Sequence, residues 1–231
     1  MTILKPFMVI LKSLLFYIFD SFALYNETSP QKNKFELVLL VRQDAIGDFI
    51  MWLDTAKEFR QLFPAKKYKI ILIGNASWCG LADEFPYWDQ VLPINSKKFK
   101  SFSGYRWGLL RTIKNMRAHI AIQPTFSREF YNGDTIIRAS TALRKVGSVG
   151  DMSNRNWLKK IISDRWYTEL IPASALKMTE LERNSEFFKG FSKKSHQEAF
   201  PINIILNFCE GNNFRYSFAV SSQMMKSPIA S

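Results

Sequence analysis

Seven residues, FELVLLV at 35–41, do most to limit what this chain can become. The run is short, almost wholly apolar and rich in strand formers. A strand of that kind is buried on both faces, so helices must cover it above and below. The period then changes. Phe49, Leu53, Ala56, Phe59 or Arg60, and Phe63 recur at helical spacing and stop before Pro64. The alternation repeats down the chain. YKIILIG (68–74) reads as a second buried strand and NASWCGLADEF as a helix. QVLPIN (90–95) is a short strand carrying a proline, and GYRWGLLRTIKNMR (104–117) is a basic amphipathic helix. HIAIQP (119–124) is a strand, TIIRASTAL (135–143) a helix and KVGSVG (145–150) a last short strand. Strand–helix alternation with short connections predicts an α/β fold, a Rossmann-like doubly wound parallel sheet.

Four segments follow from this pattern: an amphipathic helix and linker (1–33), the Rossmann-like domain (34–150), a helical connecting segment (151–200) and a remainder (201–231). The chain has 231 residues, enough for one full domain with flanking pieces. A hydrophobic content of 47% with 20 Phe and 6 Trp supplies a core, so disorder is not the default expectation. Within residues 3–25, Lys12 and Asp20 interrupt the apolar sequence, so no uncharged run reaches the roughly 20 residues that span a bilayer. On a helix, Phe7, Leu11, Leu14, Leu15, Ile18 and Phe22 share one face, with Lys5, Lys12, Ser13, Asp20 and Ser21 on the other side. That suits a helix lying in a membrane interface. It also suits one packed on its own domain. NETSPQKNK (26–34) reads as a linker.

Lys and Arg outnumber Asp and Glu by 32 to 20, a formal charge of +12 that favours anionic partners such as phospholipid headgroups or phosphorylated substrates. No helix-turn-helix, zinc-finger or RNA-binding signature accompanies it, so nucleic acid is not an expected partner. Two cysteines, Cys79 and Cys209, and two histidines show no metal-type spacing. Neither a zinc site nor a disulfide framework is expected, and no metal or other cofactor.

The chemistry concentrates where the first strand meets the first helix, in VRQDAIGDFI at 41–50. Asp44 and Asp48 flank Gly47. One reading is helix punctuation, with Asp44 as the cap and Asp48 on the positive end of the helix dipole. The other is a ligand site, because open α/β sheets hold ligands beyond the carboxyl ends of their strands. The turn has a single glycine, so it is not the G-x-G-x-x-G of dinucleotide binding, and neither a P-loop nor an esterase elbow occurs. Arg42 is expected to pair with Asp48 or to contact a phosphate or carboxylate of a ligand. Arg128 and Glu129 follow a strand end and are expected to face the same cleft. Arg106, Arg111, Arg138 and Arg144 read as solvated surface.

With these residues in view, LVLLVRQDAIGDFIMWLDTAKEFRQLFP resembles the opening of family 9 glycosyltransferases, the heptosyltransferase group of lipopolysaccharide core assembly. IAIQPTFSREFYNGDTIIRAS (120–140) and KVGSVGD (145–151) resemble later parts of the same N-terminal domain. The resemblance covers roughly residues 35–190. It implies the N-terminal, acceptor-gripping half of a GT-B architecture, in which two Rossmann-like domains enclose a cleft. It implies Asp48 as general base, with Gly47 leaving room for the sugar and Arg42, Arg128 and Glu129 as substrate-binding residues. The implied partners are a lipopolysaccharide core or other anionic glycolipid acceptor, a nucleotide-diphosphate sugar and a membrane surface. The implied location is cytoplasmic, peripheral on the inner face of the cytoplasmic membrane.

The pattern departs from the family after about residue 200. INIILNFCEGNNFRYSF starts like the first strand of a nucleotide-sugar domain, but the expected proline–glycine turn is absent and SFAVSSQMMKSPIAS resembles no part of it. The C-terminal domain is therefore expected to be truncated or diverged, and the isolated chain inactive. The alternative is a non-catalytic membrane- or acceptor-binding remnant.

Overall fold

Val38 and Leu40 of the first strand enter one apolar core, while Leu37, Leu39 and Val41 enter another. The computed structural model describes residues 4–25 and 35–199. In it, period-two geometry on a doubly covered strand sends alternate side chains to opposite layers. β1 (Glu36–Arg42), β2 (Tyr68–Asn75), β3 (Gln90–Ile94), β4 (Ile120–Gln123), β5 (Arg144–Ser148) and β6 (Glu169–Ile171) form one sheet in the order β3-β2-β1-β4-β5-β6. Every pairing is parallel. The fold is thus the α/β, Rossmann-like doubly wound sheet that the alternation predicts, and the strand order reverses direction between β1 and β4.

The helices are α1 (Leu4–Ala23), α2 (Ile46–Leu62), α3 (Cys79–Ala82), α4 (Ser96–Phe99), α5 (Gly104–Met116), α6 (Thr135–Ala139), α7 (Trp157–Asp164) and α8 (Glu180–Ala199). One core takes Phe49, Trp52, Ala56 and Phe59 from α2 with Phe187 and Phe191 from α8. Its aromatic rings stack, Phe49 on Trp78 at 4.1 Å between centroids. The other core takes Leu110 and Ile113 from α5, Ile136 and Ile137 from α6, and Ala23 from α1. The chain divides into two units, Met1–Phe191 and Ser192–Ser231, and the described part of the second is the end of α8.

Three expectations need correction. KVGSVG is not the last strand: β6 pairs with β5 beyond residue 150, so the sheet continues into the segment read as helical connection. Three residues are too few to carry a visible periodicity. The helix expected over 135–143 ends at Ala139 and is preceded by a π-helical turn, Phe130–Asp134. NASWCGLADEF contributes only the four residues of α3. INIILNF and Cys209 lie outside the described residues.

α1 packs on the domain, but with its polar side inward. Ser13, Phe16, Asp20 and Ala23, spaced three and four apart, are buried. Arg106 of α5, expected at the surface, is fully buried against this face. Its Nε and Nη2 donate to the two carboxylate oxygens of Asp20 at 2.7 and 2.6 Å, and its Nη1 donates to the carbonyls of Phe99 and Tyr131. Arg138, also expected to be solvated, donates to the Ser21 hydroxyl at 2.6 Å, and its guanidinium lies 3.9 Å from the Tyr17 ring centroid. Arg144 opens β5 rather than lying on a helix, and it pairs with Glu169 at 2.7 Å. The opposite stripe of α1 faces outward: Leu11, Leu14, Leu15, Ile18 and Phe22 are all exposed, Phe22 by 66%. The Phe7 and Lys5 side chains lie outside the described ones. Among the described residues, no helix is long and apolar enough to cross a membrane.

Candidate functional site

The carboxyl ends of β1 and β4, where the strand order reverses, open onto a cavity of about 380 Å³. Gln43, Asp44, Ala45 and Asp48 line it from the turn after β1, and Gln123, Thr125, Ser127 and Glu129 line it from the end of β4 and the loop beyond. Gly133, Asn154 and Glu180 complete it. This is the crevice in which open α/β sheets hold ligands, and its volume lies within the usual range for small-molecule sites.

Asp48 occupies the first turn of α2, half-buried, at the positive end of the helix dipole. Its side chain lines the cavity and has no ion pair or side-chain hydrogen bond among the described residues. Asp44 does not cap α2. The N-cap is Ala45, in extended conformation and without a side-chain cap bond. Asp44 instead accepts from the Thr125 hydroxyl at 3.2 Å and lies 2.8 Å from Arg42 Nε, a charge contact without hydrogen-bond alignment. Burial pushes its carboxyl above the ordinary carboxylate range, against the opposing pull of Arg42 and the Thr125 hydrogen bond.

Arg42 is fully buried behind the cavity and pairs with neither the Asp48 carboxylate nor open solvent. It donates to Glu180 at 2.6 Å and Asn184 at 2.8 Å, both on α8, and at 3.4 Å to the Asp48 backbone carbonyl. Its guanidinium also lies 5.4 Å from the Trp52 ring. Arg42 therefore ties the β1 turn to α8 and sets the position of the loop that carries Asp48. Burial raises the Glu180 carboxyl, with Arg42 opposing.

Arg128 does not face the cleft. It is fully buried, pairs with Asp164, sits 3.7 Å from Asp134 and stacks 4.4 Å over the Tyr167 ring. Glu129, its neighbour, does line the cavity and pairs with Lys100 at 2.6 Å. Gly47 is exposed, is not among the residues that line the cavity, and has nothing within 4 Å of where a Cβ would stand. The structure thus brings Asp48 and Glu129 to the cavity and assigns Arg42 and Arg128 to its support.

Glu180, Gln123, Thr125 and Asn154 escaped the sequence reading, because no local motif marks them. Gln123 carries one indirect signal, Gly133. A Cβ at Gly133 would lie 2.1 Å from the Gln123 amide nitrogen, so any other residue there would have to displace the Gln123 side chain. Beneath Gln123 runs a buried polar network in which the Tyr167 hydroxyl touches the Gln123 amide and donates to Asp134 at 2.7 Å. Arg155 and Arg128 neutralise Asp134 and reach Asp164. Burial pushes the Asp164 carboxyl up, but hydrogen bonds from Lys160 and Arg128 and their charges hold it below its ordinary 3.8. A carboxyl depressed in the folded state contributes stability above its unfolded pKa and loses it as pH falls through the folded value. The melting-temperature gap between the protein and Asp164→Asn should therefore be widest near neutrality and close below pH 3.8. A gap that widens with acid would refute this.

The fold is a Rossmann-like parallel sheet of the kind seen in solved glycosyltransferases. Among solved structures it is similar to E. coli heptosyltransferase WaaC with ADP, at 14% identity and a TM-score of 0.50 over 66% of this chain and 45% of that one. The complex of WaaC with ADP-2-deoxy-2-fluoro heptose gives 15% identity and a TM-score of 0.51 over 68% and 48%. A family 9 glycosyl transferase from Veillonella parvula gives 10% and 0.51 over 71% and 43%. At these identities the likeness is one of fold, and the chain spans less than half the length of each. No protein-family model and no curated protein matches the chain.

Proposed function

We propose that this chain is the acceptor-binding part of an inverting glycosyltransferase of family-9 type, which transfers a heptose or related sugar from a nucleotide-diphosphate donor to lipopolysaccharide core. The observation that carries the reading is the Asp48 carboxylate, free of side-chain partners among the described residues, in a cavity at the switch point of a heptosyltransferase-like sheet. An acceptor hydroxyl is a weak nucleophile until a positioned base takes its proton. Asp48 accepts that proton as the hydroxyl oxygen bonds to the anomeric carbon. The bond from that carbon to the diphosphate breaks, the electron pair leaves with the diphosphate, and the centre inverts. Groups that stabilise the departing diphosphate are a large share of such catalysis, and among the described residues no lysine or arginine lines this cavity. A donor-binding part must supply them. That same lack favours the second reading, a remnant that binds acceptor or membrane without catalysis.

The test joins this chain to the donor-binding half of a heptosyltransferase and supplies ADP-heptose and core oligosaccharide. Transfer should appear as one added heptose by mass spectrometry. A chimera that folds and binds ADP but transfers nothing would leave the remnant reading in its place.

The proposed location is the inner face of the cytoplasmic membrane, with α1 as the contact. Its outward stripe suits the headgroup–acyl boundary, and the cationic chain suits anionic lipid. Burying one large apolar side chain is worth about 1.5–3 kcal/mol. Changing Leu11, Ile18 and Phe22 together to Ser should thus lower binding to anionic vesicles by at least about tenfold in sedimentation. The melting temperature should hold, since these side chains are exposed. Equal binding by the variant would sink the idea. A stripe that pairs two copies would show instead as a dimer on gel filtration that the triple variant dissolves.

A further inference from the structure

The chain carries 32 basic residues against 20 acidic ones, yet its cavity has the reverse character. Of its eleven lining residues among those described, four are carboxylates, Asp44, Asp48, Glu129 and Glu180, and none is Lys, Arg or His. Two cations offset them from outside the lining. Arg42 serves Asp44 and Glu180 together, and Lys100 serves Glu129. Asp48 has no such partner among the described residues. The cavity is left with a net negative charge in a protein whose surface is positive, and a concave site focuses that field.

The rest of the lining that carries polar side chains is uncharged: Gln43, Gln123, Thr125, Ser127 and Asn154. Amides and hydroxyls of this kind both give and accept hydrogen bonds, and carboxylates accept only. A ring of hydroxyls matches the set, because each hydroxyl can donate to a carboxylate and accept from an amide. A phosphate or carboxylate on that ring can only accept, and it would face like charges across the cavity.

Resting on the glycosyltransferase reading, we infer that the cavity selects an acceptor sugar ring bearing no acidic group, neutral or amino-substituted. The anionic groups of the glycolipid stay outside, toward the basic surface. Selectivity arises from the carboxylates themselves, with Lys100 moderating it through Glu129.

Saturation-transfer NMR on the chain as it stands, at low ionic strength, tests this with methyl glucoside, methyl glucosaminide and glucose 6-phosphate. The first two should bind at least about tenfold more tightly than the phosphate. Salt should narrow the gap. The double change Asp48→Asn and Glu129→Gln should narrow it too. Lys100→Met, outside the lining, should widen it and keeps the test open if the double variant fails to fold. Phosphate binding as tight as that of the neutral sugar would overturn the inference while leaving the transferase reading standing. So would a preference that neither the double variant nor Lys100→Met alters. Binding of none of the three would instead defeat the acceptor-cavity reading and this inference with it.

Discussion

Asp48→Asn, made in the chain joined to a donor-binding half, should cut sugar transfer by about 10²–10⁴-fold, the usual cost of losing a general base. Asn keeps the size of the side chain and part of its hydrogen-bonding capacity, but cannot take a proton at neutral pH. What the fold loses is one favourable charge at the start of α2, worth roughly 0.3–1 kcal/mol. The melting temperature should therefore fall by no more than about 4 °C. Asp44→Ala should behave differently. It removes a carboxylate that touches buried Arg42 and accepts from Thr125, so stability should drop by roughly 1.5–3 kcal/mol. Glu180 still pairs with Arg42, which keeps the loss below that of an orphaned charge. If the Asp48→Asn chimera transfers sugar at the parent rate, Asp48 is a helix-start residue and the cavity needs another base.

Asp20→Ala should be strongly destabilising. It strips both carboxylate oxygens from a guanidinium with no exposed surface, leaving Arg106 with backbone carbonyls and the Thr135 hydroxyl. Breaking a buried ion pair from one side costs about 3–5 kcal/mol. For a domain of this size that is a fall of roughly 6–20 °C in melting temperature. The loss should concentrate at α1, which the pair clamps to α5, and protease cleavage within α1 should accelerate. Replacing both partners together, Asp20→Leu with Arg106→Met, should recover much of the loss, since an apolar pair of similar volume needs no charge compensation. An Asp20→Ala protein that melts with the parent would show that the clamp contributes nothing.

Two carboxylates of the cavity, Asp48 and Glu129, are legible in the sequence, and the physical reason is locality. Asp48 and Gly47 sit in one turn, and the turn follows a strand whose pattern marks it as central. The end of such a strand is where a doubly wound sheet holds its ligands. Glu129 was legible for the same reason, as a residue just past the end of β4. Arg128 was misjudged because adjacent loop residues point in different directions. Loop geometry, which no periodicity records, sent one to the cavity and the other to Asp134 and Asp164.

By itself the sequence determined the layer architecture: apolar runs of strand length alternating with helical periods require a parallel sheet covered on both faces. It also determined that α1 is amphipathic, because spacing alone defines a helix face. Only the tertiary structure decided which face of α1 turns inward. Hydrophobicity would bury Leu11, Ile18 and Phe22, but Arg106, 86 residues beyond Asp20, stands under the polar side and must be neutralised there. The same holds for the cavity's far wall, where Glu180 reaches Arg42 across 138 residues of chain. Periodicity is set by neighbours along the chain, whereas a buried charge finds its partner through whatever the crossing of strands and helices brings beside it.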